Sequence, residues 1–206
     1  MVWQPMKGNL LLMSSLKNMS SMKSVTSPEV EQANKEFFHQ AVDDWTSSRD
    51  ISFLGDKEKG EVLLRLFQSS TREQYISKED QMVMFQLTKE YLEETANRYP
   101  NDTRHSMFLS YFYNIMSGSG AEFANANVEL LERISAWASQ RPDILTQLSH
   151  AYLVVGRVDD AKEVALRAKE LVPEAKFAYW NLLNIYVVTN DVENIKLTLE
   201  KIFMIN

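Results

Sequence analysis

The chain has no cysteine and only three histidines, and residues that break helices are scarce. The lack of cysteine excludes disulfide frameworks, thiolate zinc sites and cysteine nucleophiles. Because His39, His105 and His150 are scattered along the chain, we predict no metal site and no cofactor. Six glycines and five prolines in 206 residues leave room for long, uninterrupted helices. The chain also has fewer basic than acidic residues, which argues against nucleic acid as a partner.

Charge is distributed unevenly along this chain, whose formal net charge is −6. Residues 1–27 hold three lysines, no acidic residue and five of the ten methionines. The remaining residues hold 19 basic and 28 acidic side chains. The composition therefore separates a basic, methionine-rich leader over 1–27 from an acidic remainder.

The leader contains one short apolar run, at residues 10–13. That run is too short for a cleavable signal peptide or a transmembrane helix. A helix over residues 8–22 would place Leu12, Leu16 and Met19 on one side. Two interpretations stay open: an amphipathic helix in peripheral contact with a membrane, or a helix packed on the rest of the fold. We accordingly expect a soluble chain, either cytoplasmic or membrane-peripheral.

From Ser27 onward the pattern is that of helices. Ser27 and Pro28 form a typical helix start, with an acidic residue behind them. The apolar residues that follow are spaced close to the helical period, and they include Phe38, Ala41 and Trp45. No stretch alternates apolar and polar residues with turn residues at hairpin spacing. The sequence therefore predicts an all-α fold.

A repeat within the sequence indicates the architecture. Leu148 and Tyr152 recur as Leu182 and Tyr186. The spacing is about 34 residues, which is the period of tetratricopeptide (TPR) helix pairs. The first copy resembles the TPR pattern further, with a turn glycine, three small residues on its second helix and a proline at its exit: Gly156, Ala161, Ala165, Ala168 and Pro173. In the second copy Asn190 replaces the glycine, since asparagine tolerates a left-handed backbone.

An earlier copy is longer than the period. The segment 109–113 resembles 148–152, and the flexible stretch 116–120 could absorb the extra residues. We predict about three TPR-like units over 101–206, preceded by degenerate helical repeats over 28–100. The expected architecture is a right-handed superhelix of stacked antiparallel helix pairs.

A second resemblance is carried by the segment 92–113, with its turn from Arg98 to His105. It is similar to the C-terminal TPR tail that follows the membrane domain in proteins of the O-antigen ligase and polymerase superfamily. The apolar run that follows Trp3 and Pro5 fits the start of such a tail, and 38–66 resembles its degenerate helix pair. The resemblance implies a bacterial interaction tail, although the family's catalytic membrane helices are absent. No catalytic residue can therefore be carried over.

The candidate phosphate-binding and acid–base motifs of the sequence are incomplete. Gly55 and Gly60 have the spacing of a phosphate-binding loop, but Glu61 and Val62 stand where lysine and a hydroxyl residue are required. Adjacent carboxylates on a helix point in different directions, so they do not form an acid–base pair. We therefore predict no catalytic residues.

TPR stacks bind partners in a concave groove lined by the first helix of each pair. Aligning the repeats puts a set of aromatic, amide and basic side chains on this lining: Arg104, Tyr111, Asn114, Thr146, His150, Trp180 and Asn184. Such a set suits a protein or peptide partner, whereas Trp137 is expected in the core. The leading hypothesis is a non-catalytic protein–protein interaction module. The alternative is a soluble helical enzyme with an unrecognised site in residues 28–100.

Overall fold

The structure, a computed structural model, describes residues 3–23, 25–49, 55–72 and 76–205. Within these ranges the chain forms ten α-helices and no β-strand, as the sequence predicts. The first five are α1 (Trp3–Ser20), α2 (Pro28–Arg49), α3 (Asp56–Arg72), α4 (Lys78–Arg98) and α5 (Thr103–Met116). The others are α6 (Ala121–Trp137), α7 (Pro142–Val154), α8 (Val158–Leu171), α9 (Lys176–Val188) and α10 (Val192–Met204).

The chain divides into two compact units, Met1–Leu109 and Ser110–Asn206. The division falls inside α5, whereas the sequence places the change from degenerate to regular repeats at residue 100. The predicted boundaries at 27 and 100 stay predictions about repeat units. Parts of the expectations for 1–27, for the segment 38–66 and for the degenerate repeats fall on residues 1, 2, 24, 50–54 and 73–75, which lie outside the described residues.

In the first unit α1 packs along α2. Leu12 and Met19 are buried, and the hydroxyl of Ser15 donates a hydrogen bond of 2.7 Å to the carbonyl of Ala41. These residues include the face that the membrane interpretation would turn toward lipid. The structure therefore agrees with the second interpretation of residues 8–22: they belong to a helix that packs on the rest of the fold.

The centre of the first unit is built around Trp45 on α2. Its side chain is fully buried and stands edge-on to the ring of Tyr91 on α4, with ring centroids 5.0 Å apart. The indole nitrogen donates to the carbonyl of Lys59 on α3 at 3.3 Å, so this polar atom is satisfied in the core. The apolar stripe that predicted α2 is therefore its core face, since Phe38 and Ala41 are buried as well.

The second unit contains two helix pairs related by the predicted repeat, α7 with α8 and α9 with α10. Gly156 ends the first helix of one pair with a φ of +80°, and Asn190 does the same in the next pair with a φ of 54°. In both turns the next amide closes the helix end, from Arg157 to the carbonyl of Tyr152 at 2.8 Å and from Asp191 to Tyr186 at 2.9 Å. The prediction of a left-handed asparagine in the second turn is confirmed.

Small residues allow α7 and α8 to approach closely. Ala161, Ala165 and Ala168 are buried, and the buried hydroxyl of Ser149 on α7 donates to the carbonyl of Ala161 at 2.6 Å. A larger side chain at these positions would separate the two backbones. The alanine pattern of the sequence therefore marks the contact face of the second helix.

Trp137 is a correction to the predicted core. This residue ends α6 and its side chain is 46% exposed. The helix buries Leu131 and Ile134 instead, and the chain turns away directly after Trp137. Helical periodicity alone does not show whether another helix covers a residue at the end of its helix.

Candidate functional site

The exposed faces of α7 and α9 lie side by side in the second unit. The amide of Asn181 on α9 donates to the carbonyl of Thr146 on α7 at 3.3 Å, which joins the two helices directly. Because each helix buries its opposite side, the residues facing away from that side form a continuous outer face. Positions separated by one repeat period therefore occupy corresponding places on the two helices.

Four of the predicted groove residues lie on this paired face. Trp180 is 50% exposed, and Asn184 is also exposed, one turn further along α9. Thr146 and His150 are half-buried at the corresponding positions of α7. We call these residues the α7–α9 face. The structure thus brings an indole, an amide, a hydroxyl and an imidazole onto neighbouring helices.

The α7–α9 face is electrically neutral at its centre. Burial lowers the pKa of His150, so its imidazole is uncharged near neutral pH. The hydroxyl of Thr146 donates to the carbonyl of Pro142 at 2.7 Å within its own helix. Because the remaining two side chains are an indole and an amide, these four residues offer aromatic contact and hydrogen bonding but no ion pairing.

The other predicted groove residues lie on α5. Tyr111 is 37% exposed and Asn114 is half-buried, both in the second unit. In the same part of α5, the ring of Tyr113 lies near the ring of Phe123 on α6, with ring centroids 6.4 Å apart. Arg104 is exposed in the first turn of α5 and belongs to the first unit. Its assignment to the groove therefore stays a sequence prediction.

Further apolar residues of the α7–α9 face were missed from the sequence. Phe177, Val187 and Val188 on α9 are exposed, and so is Val154 on α7. Val154 and Val188 are one repeat period apart, so the repeat spacing contained the signal. A valine at the end of a helix carries no distinctive chemistry, so the sequence alone does not mark Val154 or Val188 as part of a binding surface.

The first unit holds a polar cavity of about 400 Å³ between α2, the start of α3 and α4. Its lining consists of Thr46, Arg49, Asp56, Tyr91, Glu94 and Arg98. Arg49 and Arg98 both contact the carboxylate of Glu94, and Arg98 also lies 3.3 Å from the carboxylate of Asp56. The cavity lies within residues 28–100, where the enzyme hypothesis places its site.

The groups of this cavity neutralise each other. Burial opposes ionisation of Asp56, but the hydrogen bond from Tyr99 and the charges of Lys59 and Arg98 lower the pKa of this carboxyl overall. Burial and the neighbouring Asp56 raise the pKa of Tyr91. A general base needs a pKa near the operating pH, and these shifts move both groups away from neutrality. The arrangement is that of an ion-pair network.

A second polar cluster joins α2 to the start of α4. The carboxylate of Asp80 accepts from the hydroxyl of Ser77 at 2.9 Å, and its other oxygen lies 3.0 Å from Nε2 of His39. In a catalytic triad the histidine stands between serine and aspartate, whereas here the aspartate occupies the middle. Ser77 also accepts from the amide of Asp80 at 3.1 Å, which is an N-cap of α4. The cluster therefore anchors a helix start.

Within the described ranges, the side chains and helices fit neither a metal site nor a membrane span. No group of three or more histidine, aspartate or glutamate side chains there could hold a metal ion. None of the described helices combines the length and apolar character needed to cross a membrane.

Solved structures show the same kind of fold at low sequence identity. MamA of Desulfovibrio magneticus RS-1, from residue 41 to its end, matches with a TM-score of 0.57 and 14% identity, covering 97% of this chain and 94% of that chain. TTC0263, a thermophilic TPR protein of Thermus thermophilus, matches with a TM-score of 0.58 and 13% identity, covering 85% of this chain and 91% of that chain. No protein-family model and no curated protein matches the chain.

At these identities the similarity establishes the fold alone. The chain is an all-α protein of helix hairpins with a TPR-like fold, as the repeat period predicts. The fold alone does not define the function, which depends on the side chains that the chain exposes.

Proposed function

We propose that the chain is a protein–protein interaction module that binds a protein segment or peptide on the α7–α9 face. One observation carries the proposal: the half-exposed indole of Trp180 stands beside Asn184 on a helix that lies against α7. Tryptophan is enriched among the residues that dominate binding energy, because it offers a large apolar area with a polar edge. Tyr111 and Asn114 on α5 are proposed to extend this surface.

The uncharged centre of the α7–α9 face favours an uncharged or apolar partner segment, since the acidic Asp143 on α7 is already paired with Arg141. His150 is uncharged near neutral pH, and the exposed Val154, Val187 and Val188 lie at the same ends of their helices. An extended peptide or an amphipathic helix could lay apolar side chains on this area. Binding should therefore change little with ionic strength, unlike binding that depends on exposed ion pairs.

The experiment is a pull-down from a native lysate with the chain as bait. A Trp180→Ala/Asn184→Ala variant should lose the captured partners, whereas Trp137→Ala removes an equally exposed tryptophan from α6 and should keep them. Circular dichroism checks that both variants are folded. Unchanged partners on the double variant would count against the α7–α9 face, and partners lost on both variants would indicate a general effect of exposed tryptophan.

The enzyme hypothesis is kept as the alternative, with the polar cavity of the first unit as its site. A screen with glycosyl and ester substrates tests it, since the sequence offers no more specific substrate. Activity that disappears in Arg98→Ala and persists in the Trp180→Ala/Asn184→Ala variant would favour the enzyme. A silent screen together with partner loss would favour the interaction module.

Peripheral membrane contact through residues 8–22 is a separate proposal, and it has to use the other side of α1. Leu10 and Met13 are 63% and 65% exposed there, beside the exposed Lys17. Co-sedimentation with anionic lipid vesicles tests it, with Leu10→Ser/Met13→Ser as the surface variant. The proposal fails if the full chain does not sediment with the vesicles.

A relationship to the tails of O-antigen ligase-type proteins rests on sequence motifs alone. The gene neighbourhood tests it, because a detached tail should lie beside genes for membrane glycosyltransferases. Neighbours of unrelated function would leave the TPR-like fold in place and remove this link.

A further inference from the structure

The polar cavity of the first unit has the size and the lining of a small-molecule site. Its volume of about 400 Å³ lies within the range of about 300–1,000 Å³ that is typical of ligand pockets. All six lining residues carry a polar group, and four of them are charged: Arg49, Asp56, Glu94 and Arg98. These four side chains are between 19% and 51% exposed, so a ligand can reach them from solvent.

The four charges form a chain of contacts in which the sign alternates. Glu94 contacts the guanidinium groups of both Arg49 and Arg98, with Nη2 of Arg49 at 2.5 Å. Arg98 in turn lies 3.3 Å from the carboxylate of Asp56. Each positive group therefore has a negative neighbour, and the charges of the lining sum to zero.

Three members of this chain keep hydrogen-bonding capacity. A guanidinium has five N–H donors and a carboxylate has about four acceptor sites. The described contacts engage one nitrogen of Arg49, two nitrogens of Arg98 and each oxygen of Glu94 once. One oxygen of Asp56 is already shared by Arg98 and Tyr99, so this carboxylate holds Arg98 in place. The groups with capacity for a ligand are therefore the two arginines and Glu94.

The ligand that fits these groups carries both charges close together. An inorganic anion would face Glu94 and Asp56 as well as the arginines, and a metal ion would face the arginines, so either would meet like charges. Because Glu94 contacts both arginines, the positive and negative groups of the ligand have to be neighbours as well. A single carbon atom separates the ammonium from the carboxylate in an α-amino acid, whereas a longer ω-amino acid holds these charges apart.

We propose that the polar cavity binds a free α-amino acid, with its carboxylate on Arg49 and Arg98 and its ammonium on Glu94. Arginine suits this role because its planar fork of N–H groups matches the two oxygens of a carboxylate. The rest of the lining is polar, so the side chain of the ligand should be small or polar. The site shares no residue with the α7–α9 face, so its test does not depend on the proposed interaction module.

Isothermal titration calorimetry with the full chain measures the binding. The common protein amino acids are first screened by thermal unfolding, since a bound ligand raises the midpoint. At least one should bind, whereas its amide, which lacks the carboxylate charge, and its N-acetyl form, which lacks the ammonium charge, should each bind about tenfold more weakly or worse. The proposal is overturned if no amino acid binds at millimolar concentration. It is equally overturned if a blocked form, γ-aminobutyrate or inorganic phosphate binds as tightly.

Three variants test the assignment of the two charges. Arg49→Gln should weaken binding of the free amino acid about tenfold or more. Arg65→Gln removes an exposed arginine that pairs with Glu61 on α3, outside the cavity, and should leave binding unchanged.

Glu94→Gln removes the partner of the ammonium, so the free and N-acetyl forms should bind this variant alike. Circular dichroism verifies that all three variants are folded. The assignment is overturned if Glu94→Gln still prefers the free amino acid, or if Arg65→Gln weakens binding as much as Arg49→Gln does.

Discussion

Asn190 adopts the left-handed backbone conformation that Gly156 adopts one repeat earlier, with φ angles of 54° and +80°. Both residues end the first helix of a pair, and the amide that follows each one bonds back to a tyrosine carbonyl. Asparagine reaches this region because its short polar side chain can bond locally, whereas most residues pay a steric penalty there. The repeat therefore keeps a backbone conformation while the side chain changes.

Replacing Gly156 with alanine should destabilise the chain through this backbone conformation. The left-handed region costs a residue with a β-carbon about 1–2 kcal/mol, so the midpoint of urea unfolding should fall accordingly. Open space surrounds the site where the β-carbon would lie, which excludes a clash as the cause. Gly118→Ala is the control, because it adds the same methyl group in open space without a left-handed φ. Equal losses from both variants would contradict this explanation.

A large side chain at Ala165 should separate α7 from α8. Ala165 is 1% exposed, so Ala165→Leu should cost about 1–3 kcal/mol through overpacking. Ala136→Leu is a matched control, since Ala136 is exposed on α6 and the same atoms are added to solvent. Thermal unfolding of both variants measures the difference. If Ala165→Leu unfolds like the control, the close approach of the two helices is not required.

Leu12 should contribute to stability, because α1 packs on α2. This side chain is 1% exposed, and Leu12→Ala should cost about 2–5 kcal/mol through a lost contact and a cavity. Leu10→Ala removes the same atoms from a side chain that is 63% exposed, so its effect should stay within about 0.5 kcal/mol. Chemical unfolding compares the two. A leader that only contacts membranes would show no difference.

Protonation of His105 should destabilise the fold at acid pH. This side chain is 3% exposed, stacks on Tyr99 and forms no hydrogen bond through its ring nitrogens to the described residues. Burial lowers the pKa of His105, with Lys57 acting in the same direction, while Asp102 opposes the shift. The folded state therefore takes up this proton at a lower pH than the unfolded state. The contribution of neutral His105 to the free energy of unfolding is fully present above the ordinary histidine pKa of about 6.5, and it declines as the pH falls below that value.

Urea unfolding between about pH 8 and about pH 5 measures this decline. His105→Phe should reduce the slope and stay folded near pH 8, because a phenyl ring replaces an imidazole that has no hydrogen bond to lose. His150 contributes a slope of the same sign, since burial lowers its pKa as well, so part of the decline remains. An unchanged slope in His105→Phe would refute the assignment.

The local pattern predicted much of the second unit. Ala161 and Ala168 are buried where the TPR pattern requires small residues, and Gly156 has the expected turn conformation. These features depend on neighbours within one helix pair, so the sequence period contains them. The contact of Trp45 with Tyr91 and the carbonyl of Lys59 could not be predicted, because it joins three helices without a repeat.

The sequence by itself determined the helical fold, the repeat period and the residues that share each helix face. Tertiary structure decided which of those faces is covered: Leu12 packs on α2 while Leu10 stays exposed, and Trp137 is exposed where a core position was expected. The physical reason is that helical periodicity depends on the local backbone, whereas burial depends on which other helix supplies a neighbouring surface. The repeat therefore predicts which residues share the outer sides of α7 and α9, whereas only the folded chain shows that these sides remain exposed.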